Sequence, residues 1–255
     1  MHAFLNTATK ATLDAGRMML HKFDRLDLLK VSEKAKNDFV SDADIKVEEY
    51  LVEKIKDAYP DHSILAEKSD HPDDSYAEYQ WIIDPIDGTH NFVNGIPHFC
   101  ISIAIKRDDK IEHALIYDPI RDETFSASRG RGAHLNNHRM RVSDKKEFDT
   151  ALIGTGFPMT ENPEHNQYSL NMFGQVLPAC ADVRCAGSAA LDLAYVASGR
   201  LDGYFEKGLQ IWDSAAGTLL IKEAGGMVSD FAGGENYTES GNIIAGNPKI
   251  FKALF

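Results

Sequence analysis

The sequence predicts an α+β fold in which helices are layered against sheets. Three observations carry this reading. Helical spacing of apolar residues marks the region near 2–22 and again the stretch after Asp44. Short apolar runs, two of them ending in an acid, follow between Ser63 and Ala127. Beyond Ala151 strand-like and helix-like segments alternate. We place a lobe boundary near Lys145-Lys146, with an α+β lobe over 1–146 and a more α/β lobe over 147–255. The 255 residues are 43% hydrophobic and 26% charged, enough to build a real core.

The first helix carries Leu5, Ala8, Leu13, Met18 and Leu20 on its apolar positions, with Met19 beside them. The second follows Asp44, carries Val47, Tyr50, Leu51 and Ile55, and stops before Pro60. Ser63-Ile64-Leu65-Ala66-Glu67 and Gln80 to Asp84 read as strands. Ile101 to Lys106, Ile111 to Tyr117 and Glu123 to Ala127 read as a meander, broken by Arg107-Asp108-Asp109 and Asp118-Pro119. The basic stretch Arg129 to Lys146 holds Gly130, Gly132, Asn136 and Asn137, which mark hairpin turns. We favour a solvated hairpin there over a contact for RNA or an acidic partner. In the second half, Ala151 to Gly154 is a strand and Gly187 to Ser198 a helix of small residues. Leu201 to Glu206 is a strand, and Asp213 to Ala224 a helix. Gly225-Gly226 then leads into another strand.

The net charge of −12 argues against broad nucleic-acid or anionic-membrane binding, so no direct DNA binding is expected. An anionic substrate stays open, because bound cations invert a local field. Three cysteines without a C-x-x-C spacing indicate neither a disulfide framework nor a zinc knuckle, and we read them as small core residues. No run of about 18 apolar residues predicts a membrane span. The start Met1-His2-Ala3-Phe4-Leu5 lacks a secretory pattern, so a cytoplasmic location is expected. There is no G-x-x-x-x-G-K-[ST], H-E-x-x-H or G-x-S-x-G motif, and the ten histidines show no ligand spacing.

The stretch with chemical content is Trp81-Ile82-Ile83-Asp84-Pro85-Ile86-Asp87-Gly88-Thr89. Carboxylates placed after an apolar strand cost free energy unless something pairs with them. One reading is a surface turn with an Asp cap. The other is a hard-cation site. There Pro85 takes the chain out of the sheet, and Asp84, Asp87 and the Ile86 carbonyl aim at one point. Gly88-Thr89 then opens a helix whose N–H groups suit a phosphate. The local pattern leaves the two level. Glu67 at another strand end, and Asp213 after Trp212 at a helix start, favour convergence on one site.

Asp84 to Thr89 with Asn91-Phe92 resembles the first signature of the inositol monophosphatase family. Trp212-Asp213, Ala215-Ala216-Gly217 and Glu223-Ala224-Gly225-Gly226 resemble the second. Asp38 to Asp44 is similar to the family's early acidic segment, and Gly187 to Asp192 to its substrate-side helix. The likeness covers nearly the whole chain. It is strongest to the bacterial SuhB-type branch, at Gly187 to Ala197, Gly225 to Asp230 and Gly241 to Pro248.

The resemblance implies a layered αβαβα sandwich, usually a homodimer. It implies Mg²⁺-dependent hydrolysis of a phosphate monoester, myo-inositol 1-phosphate, with two to three ions per site. By matching position, Glu67, Asp84 and the Ile86 carbonyl hold a first ion, and Asp84, Asp87 and Asp213 a second. Glu67 and waters hold a weaker third. Gly88 and Thr89 bind phosphate, and Asp44, Thr89 and Glu67 orient the attacking water. Asp87, Gly187, Ser188, Ala189 and Glu206 contact substrate, and Lys36 stands near the phosphate. Glu67, Asp84, Asp87 and Asp213 with a phosphate dianion carry six negative charges, which three Mg²⁺ offset. Lithium sensitivity follows from the same likeness.

Three departures stand out. Lys68 stands where the family often has a second acid, which weakens the third ion. His90 replaces the usual second threonine. The chain stops at Phe255, earlier than many SuhB-like proteins, which trims a tail and not the site. Two rivals remain. Related enzymes cleave 3′-phosphoadenosine nucleotides or fructose 1,6-bisphosphate with the same acids. SuhB-like proteins are also associated with transcription complexes. Arg184 and the Arg129–Lys146 segment would then be candidate contacts for RNA polymerase or an elongation factor.

Overall fold

A computed structural model describes residues 2–35, 38–68, 77–157 and 162–255, with 33–35 and 38–39 by backbone alone. Helix α1 spans Ala3–Phe23 and buries Leu5, Ala8, Ala11, Thr12, Ala15 and Met19. Leu5, Ala8 and Met19 are buried as expected, and the rest of the expected face is corrected: Leu13, Met18 and Leu20 are only half-buried. Small residues make the contact because the helix lies close on the sheet. A Cβ on Gly16 would stand 2.5 Å from the Tyr117 ring.

A short hairpin, β1 (Val31–Ala35) and β2 (Asp38–Ser41), leads into α2 (Asp42–Ala58). Helix α2 starts two residues before Asp44 rather than after it. Ser41 is the cap, its Oγ accepting from the Ala43 and Asp44 N–H groups, and Asp44 reaches back to the Ser41 N–H. That reciprocal pair satisfies donors the first turn leaves open. Ala43, Val47, Leu51 and Ile55 are buried, while Tyr50 is half-buried.

Next come β3 (Ser63–Ala66), β4 (Tyr79–Asp87), the short helix α3 (Thr89–Val93) and β5 (Cys100–Arg107). The meander continues through β6 (Lys110–Asp118), β7 (Glu123–Ser128), β8 (Gly132–Leu135) and β9 (His138–Arg139). These strands form a seven-stranded sheet in chain order, with β3 parallel to β4 and every other pair antiparallel. The hairpin reading of the basic stretch holds. Gly130, Gly132, Asn136 and Asn137 all take positive φ at its turns.

The second half supplies β10 (Leu152–Thr155), α4 (Pro163–Val176), β11 (Asp182–Arg184), α5 (Ala189–Ala197) and β12 (Gly203–Glu206). Then follow α6 (Ile211–Glu223), β13 (Met227–Ser229), α7 (Tyr237–Ser240), β14 (Ile243–Gly246) and α8 (Pro248–Leu254). Its five strands are ordered β11-β10-β12-β14-β13. Helix α4 was not read from the sequence. Asn162 caps it and Pro163 opens it, but only Ser169 in it is buried, so its apolar stripe is thin.

The strand period sorts the core into layers. Trp81, Ile83, Ile101, Ile103 and Leu115 face α1 and α2. Ile82, Ala104, Ala114 and Ile116 face α5 and α6, which also receive Tyr204, Ile243 and Ala245 from the second sheet. Ile153, Phe205 and Ile244 pack on the far side with Ile250 and Phe251 of α8 and Met172 of α4. The expected αβαβα sandwich is what forms. Helix α6 lies between two sheets and is buried from Ser214 to Ile221, so it shows no single apolar stripe.

Candidate metal centre and active site

Strand β4 ends in a bulge that decides where its acids point. Asp84 pairs with Ser102 and Asp87 with Cys100, so three steps on β4 match two on β5. In an unbroken strand, residues three apart face opposite sides of the sheet. The extra residue brings Asp84 and Asp87 to the same side. The expectation that Pro85 takes the chain out of the sheet is corrected, since pairing resumes at Asp87. Pro85, with no N–H to lose, sits inside the bulge.

Asp213 reaches the same place from α6. It is the third residue of that helix, not the first as expected, and its Oδ2 accepts from the Gln210 N–H at 2.7 Å. One oxygen each of Asp84, Asp87 and Asp213 lies within 4.8 Å of the others. Asp84 Oδ1 accepts from the Ile86 N–H at 3.0 Å. Asp87 Oδ2 accepts from Ser188 Oγ at 2.5 Å and the Ala190 N–H at 2.7 Å. Burial pushes the Asp84 carboxyl well above its usual range, with Glu67, Asp87 and Asp213 adding repulsion. Burial likewise raises Asp213, with Asp87 adding to it. It moves Asp87 up to about 6, against the bonds from Ser188 and Ala190.

Glu67 follows β3 and its N–H donates to the Ile83 carbonyl. Its Oε1 accepts from Lys68 Nζ at 2.7 Å, while its buried Oε2 has no partner. Lys68 is nearly enclosed and also lies 3.4 Å from Asp44 Oδ1. Burial works to lower its pKa, but Glu67, Asp44 and Asp84 together raise it, so the ammonium is charged. Asp44 is fully buried; its Oδ2 takes the Ser41 N–H and Oγ, and its Oδ1 takes Thr89 Oγ1 at 2.7 Å. Thr89 Oγ1 is also 2.9 Å from the Ile86 carbonyl. A hydroxyl has one proton, so it serves one of these two acceptors at a time.

This donor set fits a hard divalent cation. Its free groups are oxygens, its carboxylates repel one another, and one buried carboxylate oxygen is orphaned. Soft thiolate ligation does not fit, since the nearby Cys100 thiol is buried with its pKa pushed up.

Gly88 caps α3 with φ +97°, and a Cβ there would meet the His98 carbonyl at 3.0 Å. The N–H groups of Gly88 and Thr89 stand at the start of α3, where a helix leaves its amides unpaired within itself. Asn91 ties α3 to the loop before α5 by donating to the His98 and Ala186 carbonyls, each at 2.8 Å. Gly187 packs on that amide at φ +86°. Ser188 and Ala189 then open α5, and the Ser188 hydroxyl serves Asp87 rather than its own helix. Glu206 ends β12 and accepts from Tyr204. Burial, opposed by Tyr204 and helped by Asp87, moves its carboxyl up to about 7.

Lys36 lies outside the described residues. Arg184 is exposed on the edge strand β11, where it pairs with Asp182. Sequence reading missed Ala190, Tyr204 and Gly156. A backbone N–H carries no residue signal. A glycine whose Cβ would lie 2.3 Å from the Glu206 carboxylate is recognised only once β10 and β12 are paired.

A model of the inositol monophosphatase family matches residues 1–255. The chain belongs to the inositol monophosphatase family. Nus factor SuhB of Escherichia coli K12 is 46% identical over 254 residues, covering 100% of this chain and 95% of that protein. The structure of the extragenic suppressor protein suhB from Bartonella henselae superposes with a TM-score of 0.95 at 42% identity, covering 99% and 97% of the two chains. An inositol monophosphatase from Anabaena superposes at 0.86 with 36% identity, covering 98% and 93%. These likenesses support a phosphatase. No helix among the described residues is long and apolar enough to cross a membrane.

Proposed function

We propose that the protein is a Mg²⁺-dependent phosphatase that hydrolyses myo-inositol 1-phosphate to inositol and phosphate. The observation that carries this is the meeting of Asp84, Asp87 and Asp213 within 4.8 Å, in a chain of this family. Mg²⁺ would be held by Glu67, Asp84, Asp87, Asp213 and the Ile86 carbonyl. Bound there, it neutralises phosphate charge and makes water a better nucleophile at neutral pH. Thr89, by donating its hydrogen bond to Asp44, leaves the Ile86 carbonyl open as a ligand. Thr89 Oγ1, fixed by its bond to Asp44, accepts from the attacking water on the phosphate side, with Glu67 beside it. The N–H groups of Gly88 and Thr89 bind phosphate oxygens. Glu206 and the Gly187-Ser188-Ala189 turn face the inositol hydroxyls.

We place the protein in the cytoplasm as a homodimer. A second role as a transcription factor partner is favoured by relatives called Nus factor SuhB at 46% identity. Arg184, exposed at a sheet edge, is the candidate contact.

The test is phosphate release with Mg²⁺ from myo-inositol 1-phosphate, adenosine 3′,5′-bisphosphate and fructose 1,6-bisphosphate in parallel. Preference for the inositol ester is expected. Preference for either bisphosphate would keep the metal reading and overturn the substrate. No turnover of any of the three, with Mg²⁺ bound, would leave the partner role in first place.

A further inference from the structure

Lys68 carries a positive charge into a cluster of acids that otherwise awaits metal. Its side chain is 3% exposed, and its backbone is fixed by a 2.8 Å bond from its N–H to the buried Glu48 carboxylate. Burying an ammonium is costly without close carboxylate partners. Here the partners are Glu67 Oε1 at 2.7 Å and Asp44 Oδ1 at 3.4 Å.

Those contacts use up this side of the site. Asp44 accepts three hydrogen bonds, from Ser41 N–H and Oγ on Oδ2 and from Thr89 Oγ1 on Oδ1, and the Lys68 ammonium stands 3.4 Å from Oδ1 as an ion pair. A divalent ion on the remaining position of Oδ1 would share that oxygen with the Lys68 charge. Glu67 is divided. Its Oε1 belongs to the ammonium, and only Oε2 is without a partner. A divalent ion on Oε1 would also stand against the Lys68 charge, with like-charge repulsion in a buried place.

We propose that the Lys68 ammonium is the resident cation of the Glu67–Asp44 side. That side then takes no divalent ion, and the centre loads two, both around Asp84, Asp87, Asp213 and Glu67 Oε2. This rests on the metal reading proposed above. An acid at position 68 would lower the local charge by two, which is the charge of one divalent ion. Lys68 is thus a positioning residue that sets how many ions the site holds, and it holds Glu67 in place before metal arrives.

The experiment counts ions and does not depend on turnover. Mn²⁺ binding, with inorganic phosphate present, is measured by equilibrium dialysis and by the spin-resonance signal of free Mn²⁺. The wild-type protein, Lys68→Glu and Lys68→Gln are compared, each checked for folding by circular dichroism. Two ions are expected in the wild type and a third in Lys68→Glu; Lys68→Gln, which frees Glu67 Oε1, decides if the glutamate variant does not fold. A third ion in the wild type overturns the proposal whatever the variants do. So does a folded variant that stays at two. A wild type that binds no Mn²⁺ at all overturns the metal reading itself, a separate outcome.

Discussion

Glu206→Gln separates what the buried acid costs from what it does. Glu206 is 8% exposed, has no cation beside it among the described residues, and accepts from Tyr204. Its carboxyl is moved from an ordinary 4.5 up to about 7, first by burial. The folded chain therefore holds this proton more tightly than the unfolded chain does. Stability from this source is complete below about pH 4.5 and is lost as pH rises through about 7. A difference of about 2.5 pH units corresponds to about 3 kcal/mol. That is a large share of the roughly 5–15 kcal/mol that keeps a domain folded. Glutamine cannot ionise, and the Tyr204 hydroxyl can still donate to its amide oxygen.

Urea unfolding in EDTA at pH 4.5, 6 and 8 measures this. Wild type and variant should agree near pH 4.5. At pH 8 the variant should be more stable by about 3 kcal/mol. Parallel curves from pH 4.5 to pH 8 would refute the reasoning, because the proton would then not reside on Glu206. In the same variant KM for the inositol ester should rise, since the acid is proposed to face its hydroxyls. A buried acid that costs stability at neutral pH is expected where a ligand uses it.

Asp213→Asn removes one of three converging carboxylates while leaving the Gln210 N–H an acceptor. Phosphate release at millimolar Mg²⁺ should fall on the order of 100-fold or more, and the rise in Tm on adding Mg²⁺ should shrink; unchanged turnover would remove Asp213 from the site. Glu223→Gln tests the anchor of the basic hairpin. The Glu223 carboxylate accepts from the Gly130 and Gly132 N–H groups, each at 2.7 Å. The urea midpoint should drop by an amount equal to about 1 kcal/mol, reduced from the value for charged bonds because the site is open to solvent.

What the sequence made legible here is what side chains announce. Acids at strand and helix ends mark a site because a charge beside an apolar run needs a reason, and Glu67, Asp84, Asp87 and Asp213 all showed that pattern. Glycine and asparagine pairs announced the hairpin at Gly130–Asn137 through backbone conformations that other residues resist. What stayed hidden depends on pairing over long separations. Ala190 meets Asp87 across 103 positions with a backbone N–H. Asn91 meets the Ala186 carbonyl across 95. On the first helix Leu5, Ala8 and Met19 are buried as expected, whereas Leu13, Met18 and Leu20 are half-buried because close packing on a sheet selects alanine and glycine. The loss of a charge at Lys68 was legible, but not the place its ammonium would take between Glu67 and Asp44.

The Asp84–Asp87 spacing shows both halves of this at once. An odd separation in a strand predicts opposite faces, and convergence of the two acids is expected from sequence only if the chain leaves the sheet at Pro85. The bulge keeps the chain in the sheet and still turns both acids to one side, opposite Ser102 and Cys100 and toward α6. A two-residue departure would not do this, since it would restore the ordinary alternation and send Asp87 to the α1–α2 side. The register is therefore part of the chemistry: an insertion of one residue between Asp84 and Asp87 should separate the carboxylates while leaving every proposed ligand residue in the chain.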